Sequence, residues 1–167
     1  AESMVRALEG LAALSALDGD ARLTKDVGAR LAALPLDPPL ARALLASFDS
    51  ARPCSEEVAT IVSLLAASPH GVWSMHAGKK ATEEAMAKFA VAEGDLVTML
   101  NVWRAWRDSE QSGRWAARHC LNHAALHKAG EVRAQVVGAC RRLGLPQLES
   151  CDGDMDHLRR ALVAGLF

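Results

Sequence analysis

Apolar residues recur at three- and four-residue spacing along most of this chain, and that period constrains the fold more than any other feature. Between Met4 and Leu17, for example, Val5, Leu8 and Leu11 fall on one side of a helix. The same pattern predicts further helices over Lys25 to Leu34, after Pro38, from Ser55, and over Glu83 to Phe89, Leu96 to Arg107, Gly113 to Lys128, Glu131 to Leu143 and His157 to the C-terminus. The expected fold class is therefore mainly α.

Turn-forming residues divide the N-terminal segment into short elements. Asp18-Gly19-Asp20 predicts a turn. The residues from Arg22 to Thr24 then form either one arm of a small β-hairpin or, through Thr24, the N-cap of the next helix. Pro35 ends that helix because proline has no backbone N–H to donate. Three short helices with a minimal β-hairpin fit a winged-helix-like domain, and they fit a small helical bundle equally well.

Two breaks in the pattern suggest how the chain is organised. The break from Ser50 to Pro53 predicts a boundary, with residues 1–50 as a winged-helix domain and residues 51–167 as a helical bundle. Within the bundle, the stretch from Pro69 to Thr82 has no clear period and contains two glycines. We expect this stretch to be a mobile surface loop and a candidate hinge.

Composition excludes several classes of protein. Half of the residues are apolar, which is enough for a globular core, and the net charge of −1 gives no overall attraction to nucleic acid or to anionic membranes. No apolar run approaches the roughly 20 residues that cross a bilayer. The four cysteines are widely spaced, so they predict free thiols in a reducing compartment. We expect a nuclear or cytoplasmic protein, with the nucleus favoured.

Motifs for catalysis and for metal binding are weak. The sequence contains no GxxxxGK[ST], GxGxxG, HExxH or GxSxG motif, so it predicts no enzyme activity for these 167 residues. His119, His123 and His127 are spaced to share one helical face, either as metal ligands or as a partly solvated stripe. If Asp152 were the first residue of a calcium loop, a glycine would be needed at the sixth position and a glutamate at the twelfth. Those positions hold His157 and Val163. The expected metal content is none.

Basic residues are concentrated between Val102 and Arg142. This stretch holds eight basic residues and three acidic ones, and it also contains Trp103, Trp106 and Trp115. Arginine beside aromatic side chains is typical of surfaces that follow a phosphate backbone and stack bases. Alternatively, the tryptophans are core anchors of a helix pair and the arginines form its solvated rim.

A series of phrases in the sequence resembles the helicase-associated region of DEAH-box RNA helicases, in the same order along the chain. The most specific is Leu34 to Pro38 followed by Leu40-Ala41, which is similar to "FPLDPxLA". The other matching phrases are Met4 to Leu17, Leu23 to Gly28 (with one extra residue), Cys54 to Val58, Lys88-Phe89, Gly94-Asp95, Thr98 to Val102 with Trp106, Trp115, Leu121-Asn122 with Leu126, Val132-Arg133 with Gln135, and Leu158 to Phe167.

The resemblance implies an accessory region and not an enzyme in its own right. It implies a winged helix followed by a helical ratchet domain, which together close a channel for single-stranded RNA. Two RecA-like motor domains, with ATP and Mg²⁺, are expected before Ala1 and an OB-fold after Phe167. Without those domains we expect RNA binding to be weak, with a Kd of about 10⁻⁴ M or poorer.

Polar residues near helix starts are the candidates for RNA contact, because free N–H groups there face phosphate. On that ground the first candidates are Asp95, Thr98 and Asn101, at the start of the helix after Gly94. Arg118, Asn122, Arg133 and Gln135 follow as candidates from the later basic stretch. Four positions depart from the family pattern. Leu96 replaces a histidine, Trp103 replaces the tyrosine of the "LLNVY" phrase, Ala116 replaces a cysteine and Ala124 replaces a basic residue. The apolar pattern that sets the fold is intact, whereas two polar positions that would face RNA are apolar here.

Two rival functions remain open. One is a protein-interaction module, in which the apolar face near Leu31, Leu34 and Leu40 docks a glycine-rich activator protein or another partner helix. The other is an unrelated small helical regulator, which predicts that no motor domain is encoded upstream.

Overall fold

The computed structural model describes residues 2–49, 51–68, 70–74, 76 and 78–166. Within them, the helices are α1 (Glu2–Ala13), α2 (Gly28–Ala33), α3 (Pro38–Ala46), α4 (Ser55–Ala67), α5 (Lys79–Ala87), α6 (Asp95–Asp108), α7 (Gly113–Arg118), α8 (His123–Arg142) and α9 (Met155–Leu166). The only β pairing in this part of the chain is two isolated antiparallel bridges, Leu17–Leu23 and Trp73–Leu121. The predicted fold class, mainly α, is confirmed.

The connection between α1 and α2 is a tight turn built on Asp18. Its carboxylate Oδ1 accepts hydrogen bonds from the N–H groups of Asp20 (3.0 Å) and Arg22 (2.9 Å). Thr24 Oγ1 accepts from the N–H of Gly28 at 2.8 Å, so this threonine satisfies a donor at the start of α2. Leu17 and Leu23 form a single bridge. One bridge is not a ladder of strands, so the winged-helix hairpin stays a prediction.

Several predicted helix bounds are wrong, most clearly in the second half. The predicted helix from Gly113 to Lys128 is two helices, because it breaks after Arg118 and Cys120 adopts a left-handed φ of 54°. The chain restarts as α8, where Asn122 Oδ1 accepts from the Ala125 N–H at 3.1 Å, and α8 then continues without a break to Arg142. An asparagine cap therefore sets the helix start where the apolar period indicated continuity.

Other bounds differ at the ends of elements. Helix α1 ends at Ala13, four residues before the predicted end, and α2 begins at Gly28 and not at Lys25. Helix α5 begins at Lys79, so the end of the predicted loop over 69–82 is helical. Within that loop, Pro69, Met75 and Ala77 lie outside the described residues, as do Ala1, Ser50 and Phe167.

The first of two compact units comprises residues 1–62 and 134–167. Helices α3 and α9 pack against each other in this unit, and Leu44, Leu158 and Leu162 are buried. The two backbones approach so closely that a Cβ added to Gly165 would lie 2.2 Å from the carbonyl oxygen of Pro39. Burial of these apolar side chains stabilises the pair, and glycine at position 165 allows the two backbones to approach this closely.

A buried carboxylate also fastens α4 within this unit. Glu57 is 1% exposed, and its carboxylate accepts hydrogen bonds from Ser150 Oγ (2.6 Å) and from the N–H of Cys151 (3.2 Å). Ser55 Oγ accepts from the Glu149 N–H at 2.9 Å. The start of α4 is thus tied to a segment more than ninety residues later in the chain.

The second unit comprises residues 63–133 and has its own core. The core residues are Leu64, Val72, Val102, Trp103, Trp106, Ala116, Leu121, Leu126 and Ala129. Trp103 and Trp106 are 6% and 1% exposed, with ring centroids 5.3 Å apart. They are core anchors, as the second interpretation of the basic stretch held, and neither offers a face to a base. The boundary predicted between residues 50 and 51 stays a prediction.

Candidate functional site

The first group of predicted RNA-binding residues lies at the start of α6. Gly94, with a φ of 105°, is the N-cap residue, so Asp95 is the first residue of the helix. Aspartate is a common N-cap residue, but here it does not hold that position. The side chain of Asp95 is exposed. A carboxylate at this end complements the helix dipole, but it also opposes the approach of a phosphate.

Thr98 and Asn101 follow on the same helix. Thr98 is 8% exposed; its hydroxyl donates to the Gly94 carbonyl (3.1 Å) and accepts from the Val91 N–H (3.3 Å). The hydroxyl therefore ties the preceding turn to α6. Asn101 is half-buried, one turn further along. Of these two residues, Asn101 has the more accessible side chain.

The second predicted group surrounds the break between α7 and α8. Arg118 is the exposed last residue of α7, and Asn122 is exposed just before α8. The Asn122 N–H donates to the Val72 carbonyl at 2.8 Å while its Oδ1 caps α8, which fixes the position of this residue. Arg118 and Asn122 thus flank one short connection and present a cation and an amide NH₂ to solvent.

The last two predicted residues lie further along α8. Arg133 is half-buried and Gln135 is exposed. Gln135 lines a cavity of about 410 Å³ together with Arg142 and with Leu34 and Pro35 after the end of α2. This cavity belongs to the first unit, whereas the other six predicted residues belong to the second.

A half-buried group of aromatic rings lies in the second unit and was missed by the sequence analysis. The rings of Trp115 and His119 have centroids 4.1 Å apart and an interplanar angle of 31°, and Phe89 meets both edge-on. Trp73 lies 6.2 Å from Phe89. Only Phe89 and Trp115 belonged to recognisable phrases of sequence, and nothing in the apolar period indicated that the four rings would meet.

The predicted face of three histidines is wrong. His119 precedes the break before α8, so it does not continue the helical face of His123 and His127, whose ring centroids are 4.5 Å apart. His119 Nδ1 lies 2.8 Å from the Trp115 carbonyl oxygen and His123 Nε2 lies 3.1 Å from that of Gln111. Across the described ranges, no three His, Cys, Asp or Glu side chains are grouped so as to hold a metal ion.

The cysteines are free thiols, and three of them are buried. Burial raises the pKa of Cys54 to about 12, with smaller contributions from Cys151, Glu57 and Asp49. Burial also raises the pKa values of Cys140 and Cys151. A thiol with a raised pKa is protonated at neutral pH and is a poor nucleophile. These three side chains are therefore structural.

None of the described helices combines the length and apolarity needed to cross a membrane.

Comparison with known proteins identifies the family. Residues 37–99 match the model of the helicase-associated domain (HA2), described as ratchet-like. The whole chain is 38% identical over 168 residues to "Probable ATP-dependent RNA helicase DHX35" from Pongo abelii and 36% identical over 168 residues to the protein of the same name from Homo sapiens. It spans 23% of the length of each. The chain therefore belongs to the helicase-associated region of the DEAH-box RNA helicases.

Proposed function

We propose that this chain is an accessory region of an ATP-dependent DEAH-box RNA helicase, where it forms part of a channel for single-stranded RNA and couples that channel to the motor domains. The observation that carries the proposal is the similarity to RNA helicases along the entire chain. The match of residues 37–99 to a ratchet-like domain agrees with it. In this proposal the N-terminal residues form a winged helix, an OB-fold follows, and the parent protein remodels RNA in the nucleus.

The absence of nucleotide-binding motifs in these 167 residues indicates which part of the parent protein would bind ATP. The 167 residues contain no phosphate-binding GxxxxGK[ST] loop, so ATP and Mg²⁺ would be bound by the motor domains of the parent protein. The role of this chain is then to position RNA, and its contacts with RNA would be directed at the backbone and tolerant of sequence.

The simplest test of the parent's identity is the nucleotide sequence of the gene on both sides of this segment. We expect an upstream reading frame encoding GxxxxGK[ST] and a DEAH motif, and a downstream frame encoding an OB-fold. An open reading frame confined to this segment would contradict the proposal and favour a free-standing regulator.

RNA contact is tested best at Arg118, because it is the exposed cation beside the α7–α8 connection. In the parent helicase, Arg118→Ala is expected to weaken binding of oligouridylate by about three- to tenfold, since one charge-assisted contact to phosphate is lost. Fluorescence anisotropy at several salt concentrations measures the loss, and the salt dependence should fall by about one phosphate contact.

The matched control is Arg6→Ala, which removes the same charge from α1, where Arg6 pairs with Glu2 at 2.6 Å. We expect this variant to bind RNA like the unmodified protein. Equal losses in both variants would indicate a general effect of charge, and an unchanged affinity in Arg118→Ala would remove Arg118 from the channel. Asn122→Ala and Arg133→Ala extend the test, with thermal stability measured alongside to separate binding from packing.

A second candidate function, docking of another polypeptide, is favoured by helix α1. Leu31, Leu34 and Leu40 are buried, so the docking face predicted there is wrong. Three neighbouring apolar side chains are exposed on α1 instead: Met4 is 70% exposed, Val5 53% and Leu8 42%. An apolar cavity of about 370 Å³, lined in part by residues of α1, α3 and α9, lies in the same unit.

The occupant that we propose for this face is another segment of the parent protein. The curated relatives extend far beyond the region matched here, and a longer parent would cover an apolar stripe that is costly to leave in water. A glycine-rich activator protein is the alternative occupant.

The double variant Val5→Asp with Leu8→Asp tests the docking face. In the 167-residue chain we expect the free energy of unfolding to change by less than about 0.5 kcal/mol, because both side chains are exposed. In the parent protein, the same variant should lower the melting temperature, whereas Ser3→Asp on the same helix should not. If the double variant leaves the melting temperature of the parent protein unchanged but abolishes its stimulation by an activator protein, the face binds the activator.

A further inference from the structure

A cavity of about 480 Å³ in the first unit is lined by two arginines whose positive charges are not fully balanced by acidic side chains. It lies beside the end of α3 and the first turns of α9. Among the described residues, its polar lining consists of Asp49, Arg52, His157 and Arg160, and Ala46 and Ala161 lie beside them.

The frame around this cavity is well fixed. Ala161 is 5% exposed in the close α3–α9 pair. The Asp49 carboxylate accepts from the Ala51 N–H at 3.0 Å, and the Arg52 N–H donates to the Asp49 carbonyl at 3.0 Å. The Cys54 N–H donates to the Ser47 carbonyl at 3.1 Å, which closes the turn. The backbone that carries Arg52 is thus held by hydrogen bonds at both ends.

The charges in the cavity do not cancel. Neither Arg52 nor Arg160 forms an ion pair with any residue that the structure describes, whereas the adjacent Arg159 pairs with Asp156 at 3.2 Å. Of the acidic groups nearby, Asp154 lies 3.5 Å from His157 Nε2 and also accepts from the first N–H groups of α9. Asp49 is the only acidic side chain in the lining, so one positive charge remains uncompensated even when His157 is neutral.

We propose that this cavity binds a phosphate group through Arg52 and Arg160. A guanidinium group donates two parallel N–H bonds to paired oxygens. Phosphate has enough oxygens to accept such pairs from both arginines, whereas the two oxygens of a carboxylate are used by one. Because Asp154 occupies the first N–H groups of α9, side chains and not the helix N-terminus hold the ligand. None of the residues of this site is among the seven predicted RNA contacts.

The phosphate could come from a free ion, from a nucleoside monophosphate or from the phosphodiester backbone of RNA. The 167-residue chain is titrated with inorganic phosphate at low ionic strength, with chloride as the matched salt, and arginine side-chain N–H signals are followed by NMR. We expect saturable shifts for Arg52 and Arg160. The same titration is repeated with uridine monophosphate, which carries a phosphate monoester, and with 5′-hydroxyl oligouridylate, which carries phosphodiesters and no terminal monoester. Saturable shifts with the oligonucleotide indicate the RNA backbone as the source, and shifts only with the other two indicate a free ion or a monophosphate.

The double variant Arg52→Gln with Arg160→Gln is expected to weaken phosphate binding by at least about tenfold, since each charge-assisted pair contributes that order of affinity. Arg159→Gln, one residue away and already paired, should leave affinity within about twofold. All three side chains are exposed, so thermal melting is expected to be unchanged and serves as the check of folding. The absence of saturable binding, or equal affinity in the double variant, would overturn the assignment.

Discussion

Replacing Gly165 with alanine is expected to lower the free energy of unfolding by at least about 3 kcal/mol. A Cβ at this position would lie 2.2 Å from the Pro39 carbonyl oxygen, 2.4 Å from the Ala43 nitrogen and 2.9 Å from the Ala43 Cβ. Two of these atoms belong to the backbone, so no side chain can rotate to relieve the clash. Helices α3 and α9 would have to separate, which exposes apolar surface that their contact buries.

Gly10 supplies the matched control for this prediction. It is also a helical glycine, in α1, but a Cβ there would meet nothing within 4 Å. Gly10→Ala should therefore stabilise the chain by about 0.5–1 kcal/mol, because alanine loses less backbone freedom on folding. Chemical denaturation monitored by circular dichroism measures both variants. A Gly165→Ala variant as stable as the unmodified chain would contradict the close approach of α3 and α9.

Trp106→Ala is expected to cost about 3–5 kcal/mol, because it removes the largest fully buried side chain and leaves a cavity in the second unit. Trp106→Phe should cost much less, about 1–2 kcal/mol. The indole Nε1 of Trp106 is buried and has no hydrogen-bond acceptor among the described residues. An unsatisfied buried donor carries a penalty of about 1–3 kcal/mol, which phenylalanine removes and which offsets part of the lost volume.

Trp103→Phe provides the comparison for the indole donor. Trp103 packs against Trp106 and is 6% exposed. Unlike the Nε1 of Trp106, its Nε1 is not among the buried donors that lack an acceptor. We expect Trp103→Phe to be at least as destabilising as Trp106→Phe. If Trp106→Phe costs as much as Trp106→Ala, the indole N–H has an acceptor, and the rings of His123 and His127 at 5.9 and 5.2 Å would be the first place to look.

Helix content could be predicted from sequence because it depends on local spacing, but the spacing does not decide which stripe is buried: Val5 and Leu8 share one side of α1, as expected, and both are exposed. On α6, Val97 and Leu100 are three residues apart and are both buried, whereas Val102 is buried on the other side of the helix. The break before α8 could not be predicted, since residues 113–128 contain a glycine only at their start and no proline. There, the Asn122 cap and its hydrogen bond to Val72 decide the outcome, and Val72 lies fifty residues earlier.

The candidate site shows the same limit. The sequence selected Arg118 and Asn122 from its basic stretch, and both residues are exposed, Arg118 at the end of α7 and Asn122 just before α8. It also selected Thr98, whose hydroxyl is engaged by Gly94 and Val91. The cavity of Arg52 and Arg160 was not predicted, because these arginines are more than one hundred residues apart and only the α3–α9 contact brings them together.

The hydrogen bonds of Glu57 to Ser150 and Cys151 have a consequence for the order of folding during synthesis. The first unit is assembled from residues 1–62 and 134–167, so it cannot be completed on the ribosome until its last segment has emerged. Residues 63–133 are continuous and can fold while that segment is still being made. Until then the buried position of Glu57 lacks its partners, and nascent chains should expose the α4 N-terminus to chaperones and proteases.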